Sequence, residues 1–288
     1  MRFWPVLLVA ATVGLAQKPF DDLQIERVTT FGYADGITWA KEGYLLVADV
    51  LTKRILRFDP GEKSSNLRED DGGVQGLAVD TLGRLYMCEA GARRVTRMDR
   101  KGAIETLAAN FNGKKFNAPN DIVVRKDNHV FFTDPAFGSA QDRRELDFYG
   151  IFHIGPKGEI DTLAQWKTRP NGIALTQDGK TLYVTDSDRH LVVAFDVDKN
   201  GAATNERIAV KGIQGVPGGI RTDVQGRLYV AARNVDIFTA QGAPVFSIQL
   251  SEPATNIAFG QDDLQSLFIA TRKALYRANV HVKGAVQY

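Results

Sequence analysis

The chain has 288 residues, 44% of them apolar and 24% charged, a composition that excludes a disordered or fibrous protein and supplies a large core. Thirty-six basic residues against 34 acidic leave a formal charge of +2, without the basic excess of a dedicated nucleic-acid binder. No block of like charges marks a tail or linker.

The chain begins MRFWPVLLVAATVGLAQ. Arg2 gives a minimal positive start, Phe3 to Leu15 is apolar, and Gly14-Leu15-Ala16 places small residues at the two positions that determine cleavage. Residues 1–16 are expected to be a signal peptide cleaved after Ala16, with the mature protein periplasmic or extracellular and not membrane-held. The absence of a cysteine after that point argues against a lipid anchor. An uncleaved anchor is the competing reading, but the run is shorter than the ~20 apolar residues of a spanning helix. Residues 17–288 are expected to form one domain. Cys88 is alone, so no internal disulfide is available, and its setting in RLYMCEA predicts a buried strand thiol.

Six similar segments then follow. They are DGITWAKEGYLLVADV from 35, QGLAVDTLGRLYMCEA from 75, NDIVVRKDNHVFFTDP from 120, NGIALTQDGKTLYVTDS from 171, GGIRTDVQGRLYVAAR from 218 and TNIAFGQDDLQSLFIATR from 255. Each joins two apolar strands through a Gly, Asn or Asp turn, and a third strand is legible after most of them, as in RILRFD, RVTRMDR and LVVAFDVD. The offsets of 40, 45, 51, 47 and 37 residues suit four short strands per unit. The expected fold is all-β, a six-bladed β-propeller of four antiparallel strands per blade. QIERVTTF, residues 24 to 31, is expected to close the ring as the outer strand of the last blade and so to cover an edge.

Equal register in a propeller means equal depth along the central channel. The first residues of the six units, Asp35, Gln75, Asn120, Asn171, Gly218 and Thr255, are therefore expected at its mouth. Polar groups converging there have two explanations. They hold trapped water, or their carboxylate and amide oxygens hold a hard cation such as Ca²⁺, since no Cys or His is present to select zinc.

Three stretches resemble the gluconolactonase/regucalcin (senescence marker protein) family of six-bladed propellers: NGKKFNAPNDIVVRKDNHVFFTDPAFG at 112–138, RPNGIALTQDGKTLYVTDS at 169–187 and EPATNIAFG at 252–260. The likeness runs from about residue 24 to 280 and is closest to the gluconolactonase branch. It implies a calcium-dependent lactonase whose metal ligands are Asp35 (in place of a longer Glu), Asn120 of APND and Asn171 of RPNG. The fourth ligand of the family, an Asp in a PDG motif that is also proposed to act as base or nucleophile, falls on Gly218 of VPGG and is missing. One of two metal-facing carboxylates is thus expected to be lost, with weaker binding of Ca²⁺ or another divalent cation.

The loops after the second strands should rim the same opening. Pro135 to Gly150 is the longest and is expected to form a wall or lid. Asn117, Asp121, Phe137 and Tyr149 are the candidate substrate contacts. Asp186 and Asp188 are the candidates for a substitute base, although aspartates at such strand ends commonly cap turns. The four histidines show no metal-type spacing, and no Gly-Xaa-Ser-Xaa-Gly motif, P-loop or dinucleotide fingerprint is present. The expected function is hydrolysis of a sugar lactone or related small cyclic ester. The alternatives are a non-catalytic propeller that binds a ligand or partner at a degenerate metal site, and metal-independent chemistry of the strictosidine-synthase type. Oligomeric state is not legible.

Overall fold

The structure is a computed structural model that describes residue 20 and residues 23–61 and 63–286. The expected signal peptide lies outside the described residues.

Each repeat folds into a four-stranded antiparallel sheet, and six such sheets are formed among the described residues. The innermost strands are Ala34–Ala40, Val74–Val79, Ile122–Val124, Pro170–Leu175, Ile220–Thr222 and Ala254–Gly260, opening blades 1 to 6. The ring closes as the sequence predicts: Ile25–Thr30 pairs antiparallel with Ala274–Asn279 and becomes the outermost strand of blade 6. A hairpin of Asn110–Phe111 with Lys114–Lys115 lies between blades 2 and 3.

Burial falls from the axis outward. The second strands, such as Leu85–Glu89 and Val130–Asp134, are buried throughout, whereas Ile25–Thr30 is almost wholly exposed. Each blade must therefore bury the faces of its inner strands against its neighbours. Six apolar clusters do this, one at each seam of the ring. Leu46 and Met87 join blades 1 and 2, and Tyr86 and Phe132 join blades 2 and 3. Phe131 and Leu182, Val192 and Ile220, Tyr229 and Ile257, and Trp39 and Phe268 join the remaining pairs in turn. Cys88 is fully buried in the seam of blades 2 and 3, as an apolar thiol.

The innermost strands surround the channel. Its end away from the repeats' first residues is covered by the C-terminal segment, where Val224 N–H donates to Lys283 O (3.0 Å) and Ala285 N–H to Thr222 O (2.9 Å). Above that segment is a cavity of about 80 Å³ bordered by Leu77, Ile122, Ile173, Arg221, Phe259 and Val286.

Candidate functional site at the channel mouth

Asp35, Gln75, Asn120, Asn171, Gly218 and Thr255 stand at one depth. Each precedes by two residues the aliphatic side chain, Ile37, Leu77, Ile122, Ile173, Ile220 or Ile257, that pairs with its blade's second strand. Their side chains are committed differently. Thr255 Oγ1 donates to the Ala34 carbonyl (2.8 Å), which ties blade 6 to blade 1. Asn171 Nδ2 donates to Ser187 Oγ (3.0 Å) and to Pro217 O (3.3 Å), which fixes the amide and leaves its oxygen without a donor among the described residues. Asn120 is buried, with its backbone N–H on Thr133 O (2.8 Å) and no side-chain bond to another described residue. Asp35 is half-buried and accepts a hydrogen bond from Asn256.

Asp35, Asn120 and Asn171 thus offer oxygens that the protein itself leaves largely unengaged. One carboxylate and two amides form an all-oxygen set, which suits a hard cation. Among the described residues no group of three or more His, Cys, Asp or Glu gathers as a metal cluster, so a cation at the mouth depends on the amide oxygens.

A second carboxylate stands beside the first. Asp121 is buried; its Oδ1 accepts Ile122 N–H (3.0 Å), its Oδ2 accepts Ile173 N–H (3.2 Å), and Arg221 Nη1 is 3.5 Å from Oδ2. Burial, followed by the Asp121 charge, pushes the Asp35 carboxyl up to about 8 in the absence of a cation. Burial also raises Asp121, against the opposing pull of Arg221. Tyr33 is pushed up to about 12, first by the Asp35 charge and then by burial, with the Arg272 guanidinium 5.3 Å from its ring. Asp121, expected as a substrate contact, is instead held by two backbone N–H groups and the Arg221 guanidinium beside Asp35.

Gly218 is held by the seam with blade 6. A β-carbon there would press on the Thr255 carbonyl oxygen, which already accepts Gly219 N–H at 2.9 Å. At Gly219 a β-carbon would overlap Asn256 Oδ1. Neither glycine has a positive φ, so close approach and not backbone angle requires them.

The remaining candidates are dispersed around the rim. Asn117 is buried, with its N–H on Asp134 Oδ2 (2.8 Å) and its Nδ2 on Asp134 O (3.1 Å) and Phe148 O (3.0 Å); its Oδ1 has no partner among the described residues. Asp134 is pushed up to about 7 by its burial. Phe137 lies 4.8 Å beneath the Arg169 guanidinium, and Tyr149 is buried 4.5 Å below that of Arg144. Between them the long loop forms a 3₁₀ turn over Gly138–Arg143, then buries Leu146 and Phe148. Asp186 is fully buried as a turn cap. Its Oδ1 accepts Asp188 N–H (3.0 Å) and Arg189 N–H (2.9 Å), and its Oδ2 takes Thr168 Oγ1 (2.5 Å) and Arg189 Nε (2.6 Å). Asp188 is paired with Arg169, which holds its carboxyl below the usual range. Neither aspartate presents a free carboxylate to the channel. Away from the mouth, the fold joins His129 and His153, Nδ1 to Nε2 at 2.6 Å, a buried pair that sequence spacing did not reveal.

The family model for the SMP-30/gluconolactonase/LRE-like region matches residues 33–273. The chain belongs to this family. It is 28% identical over 284 residues to the gluconolactonase of Zymomonas mobilis subsp. mobilis, covering 88% of this chain and 80% of that protein. A solved gluconolactonase from Xanthomonas campestris superposes with a TM-score of 0.84 at 27% identity, with 91% of each chain covered. The calcium-binding protein regucalcin from Agrobacterium tumefaciens shares the fold at a TM-score of 0.75 and 17% identity, over 89% of this chain and 92% of that one.

Proposed function

We propose that the protein is a lactone hydrolase that works at the channel mouth, with a divalent cation, Ca²⁺ in the first instance, held by Asp35, Asn120 and Asn171. The observation that carries this reading is the set of three oxygen-bearing side chains at one depth with acceptor capacity left over. The gluconolactonase relatives supply the reaction class, and calcium-binding regucalcin has the same architecture.

A cation bound there would polarise the lactone carbonyl and stabilise the negative charge that develops on its oxygen. Asp35 would provide the anionic ligand. Asn120 and Asn171 would provide neutral oxygens, the latter pre-oriented by Ser187 and Pro217. Arg221 bars the channel below the mouth, so the substrate would be taken from the open end. Ring opening adds one water across the acyl C–O bond and yields a hydroxy acid, which releases a proton near neutral pH. Export by the expected leader peptide is part of the same proposal.

The test is pH-stat hydrolysis of δ-gluconolactone by the purified chain, first with excess EDTA and then with Ca²⁺ restored. Calcium-dependent turnover above background is expected. Turnover equal to background under both conditions would overturn this reading for that substrate. It would favour the second one, a ligand-binding propeller, for which the specific support is that Gly218 contributes no side chain to the mouth.

A further inference from the structure

The innermost strand of blade 5 departs from its five counterparts twice. It begins near Gly218, and three residues later it carries Arg221 where equal register puts Thr38, Ala78, Val123, Ala174 and Ala258 in the other blades. Those five small or apolar side chains leave room at the axis for one large group. The guanidinium takes it. Arg221 Nη1 donates to Ile220 O (2.6 Å) and stands 3.5 Å from Asp121 Oδ2 of blade 3, while Nη2 donates to Ile37 O of blade 1 (3.4 Å). It therefore touches both strands that present Asp35 and Asn120, two residues from the first and one from the second.

Asp121 is fully occupied in this arrangement, by two backbone N–H groups and the guanidinium. Its carboxylate is turned toward blades 4 and 5. A cation at the mouth would meet one available carboxylate, Asp35, and a fixed positive charge beneath it. In a partly buried channel that repulsion is weakly screened by solvent and salt.

We infer that Arg221 is a positioning residue that sets the cation affinity of the mouth, by engaging the Asp121 carboxylate and by opposing any divalent ion held by Asp35, Asn120 and Asn171. The inference rests on the cation site proposed above. Blade 5 then contributes a built-in cation in the same strand that lacks a carboxylate at Gly218. On this inference that one strand weakens calcium binding at the mouth.

The experiment is isothermal titration of Ca²⁺ into the parent protein and into Arg221→Met, Arg221→Gln and Arg221→Lys, with folding checked by circular dichroism and melting temperature. R221M and R221Q are expected to bind Ca²⁺ at least about tenfold more tightly than the parent, and R221K within about threefold of it. R221Q keeps a hydrogen-bonding group for Asp121 and carries the test if R221M does not fold. Unchanged or weaker binding in a folded, uncharged variant overturns the inference and leaves the cation site standing. An R221K that binds as tightly as R221M also overturns it, because shape and not charge would then set the affinity. Absence of binding by all four proteins at about 10 mM Ca²⁺ removes the cation site itself, and this inference with it; turnover in EDTA is the separate readout for the lactonase reading.

Discussion

At the scale of single residues, a glycine where the same register in the other five blades carries a polar side chain looks like a simple deletion. The seam with blade 6 shows otherwise, since a β-carbon at Gly218 has no room beside the Thr255 carbonyl. Gly218→Ala and Gly218→Asp are both expected to cost about 2 kcal/mol by overpacking, which lowers the melting temperature by roughly 4–8 °C. Differential scanning calorimetry checks this, and parental melting of G218A would show that the seam relaxes freely. Asn171 allows a cleaner test of the cation ligands. Asn171→Ala is expected to weaken Ca²⁺ binding about tenfold or more by calorimetric titration, and Ser187→Ala less, because Ser187 only orients the amide. The depth of Asp35, Asn120 and Asn171 was legible because one strand register repeats six times. Asp121 was legible as a residue of the mouth, but its pairing with Arg221 was not, because that contact reaches across the axis from blade 5 to blade 3.

At the scale of the element, the repeated turns were legible from their Gly, Asn and Asp residues, but the clasps beneath them were not. Blades 2 and 5 use the same device. Asp80 Oδ1 accepts Leu82 N–H (2.9 Å) and Arg84 N–H (2.9 Å), and its Oδ2 binds Arg84 Nε (2.6 Å) and Tyr86 OH (3.1 Å). Asp223 does the same with Gln225 N–H (2.8 Å), Arg227 N–H (3.0 Å), Arg227 Nε (2.5 Å) and Tyr229 OH (3.1 Å). One buried carboxylate therefore closes the turn, pairs a guanidinium and satisfies a tyrosine from the next strand. Asp223→Ala is expected to destabilise by about 3 kcal/mol, because Arg227 and the fully buried Tyr229 lose their shared partner. Urea unfolding measures it, and Asp80→Ala should behave alike. The long loop after blade 3's second strand was expected as a wall or lid. Its sequence does not announce the 3₁₀ turn or the burial of Leu146 and Phe148, since both are set by packing against blade 3 and not by local periodicity.

At the scale of the whole molecule, the number of blades and the closure by Ile25–Thr30 were legible, because a ring of equal seams demands equal units. What the repeat cannot show is where one seam differs from the rest. The blade 3 and 4 seam contains the His129–His153 bond, with Gly201 of blade 4 packed on it. Arg125 stitches the same turn through Asp198 O (2.7 Å) and Lys199 O (2.8 Å). The charged groups around the pair are Asp127 and Asp161, each 3.9 Å from one ring, together with Arg125, Glu159 and Asp198. Burial lowers both histidines, and His129 lowers His153 further. A histidine depressed in the folded state binds fewer protons there than when unfolded, so its stabilisation is complete above the unfolded value near 6.5 and is lost as pH falls through the folded value. Asp35 and Asp134 are raised, to about 8 and about 7, and have the opposite slope: their contribution is lost as pH rises from about 4 toward those values. The melting temperature of the parent alone therefore mixes the two signs. The difference between the parent and His153→Phe separates them, because both proteins keep the two aspartates. Expressed as unfolding free energy, that difference should shift in favour of the variant as pH falls from 7 to 5, with a slope of up to about 1.4 kcal/mol per pH unit for each histidine that titrates. A difference constant over that range would show that His153 takes up its proton as readily in the folded as in the unfolded protein, so that burial in the pair does not lower it.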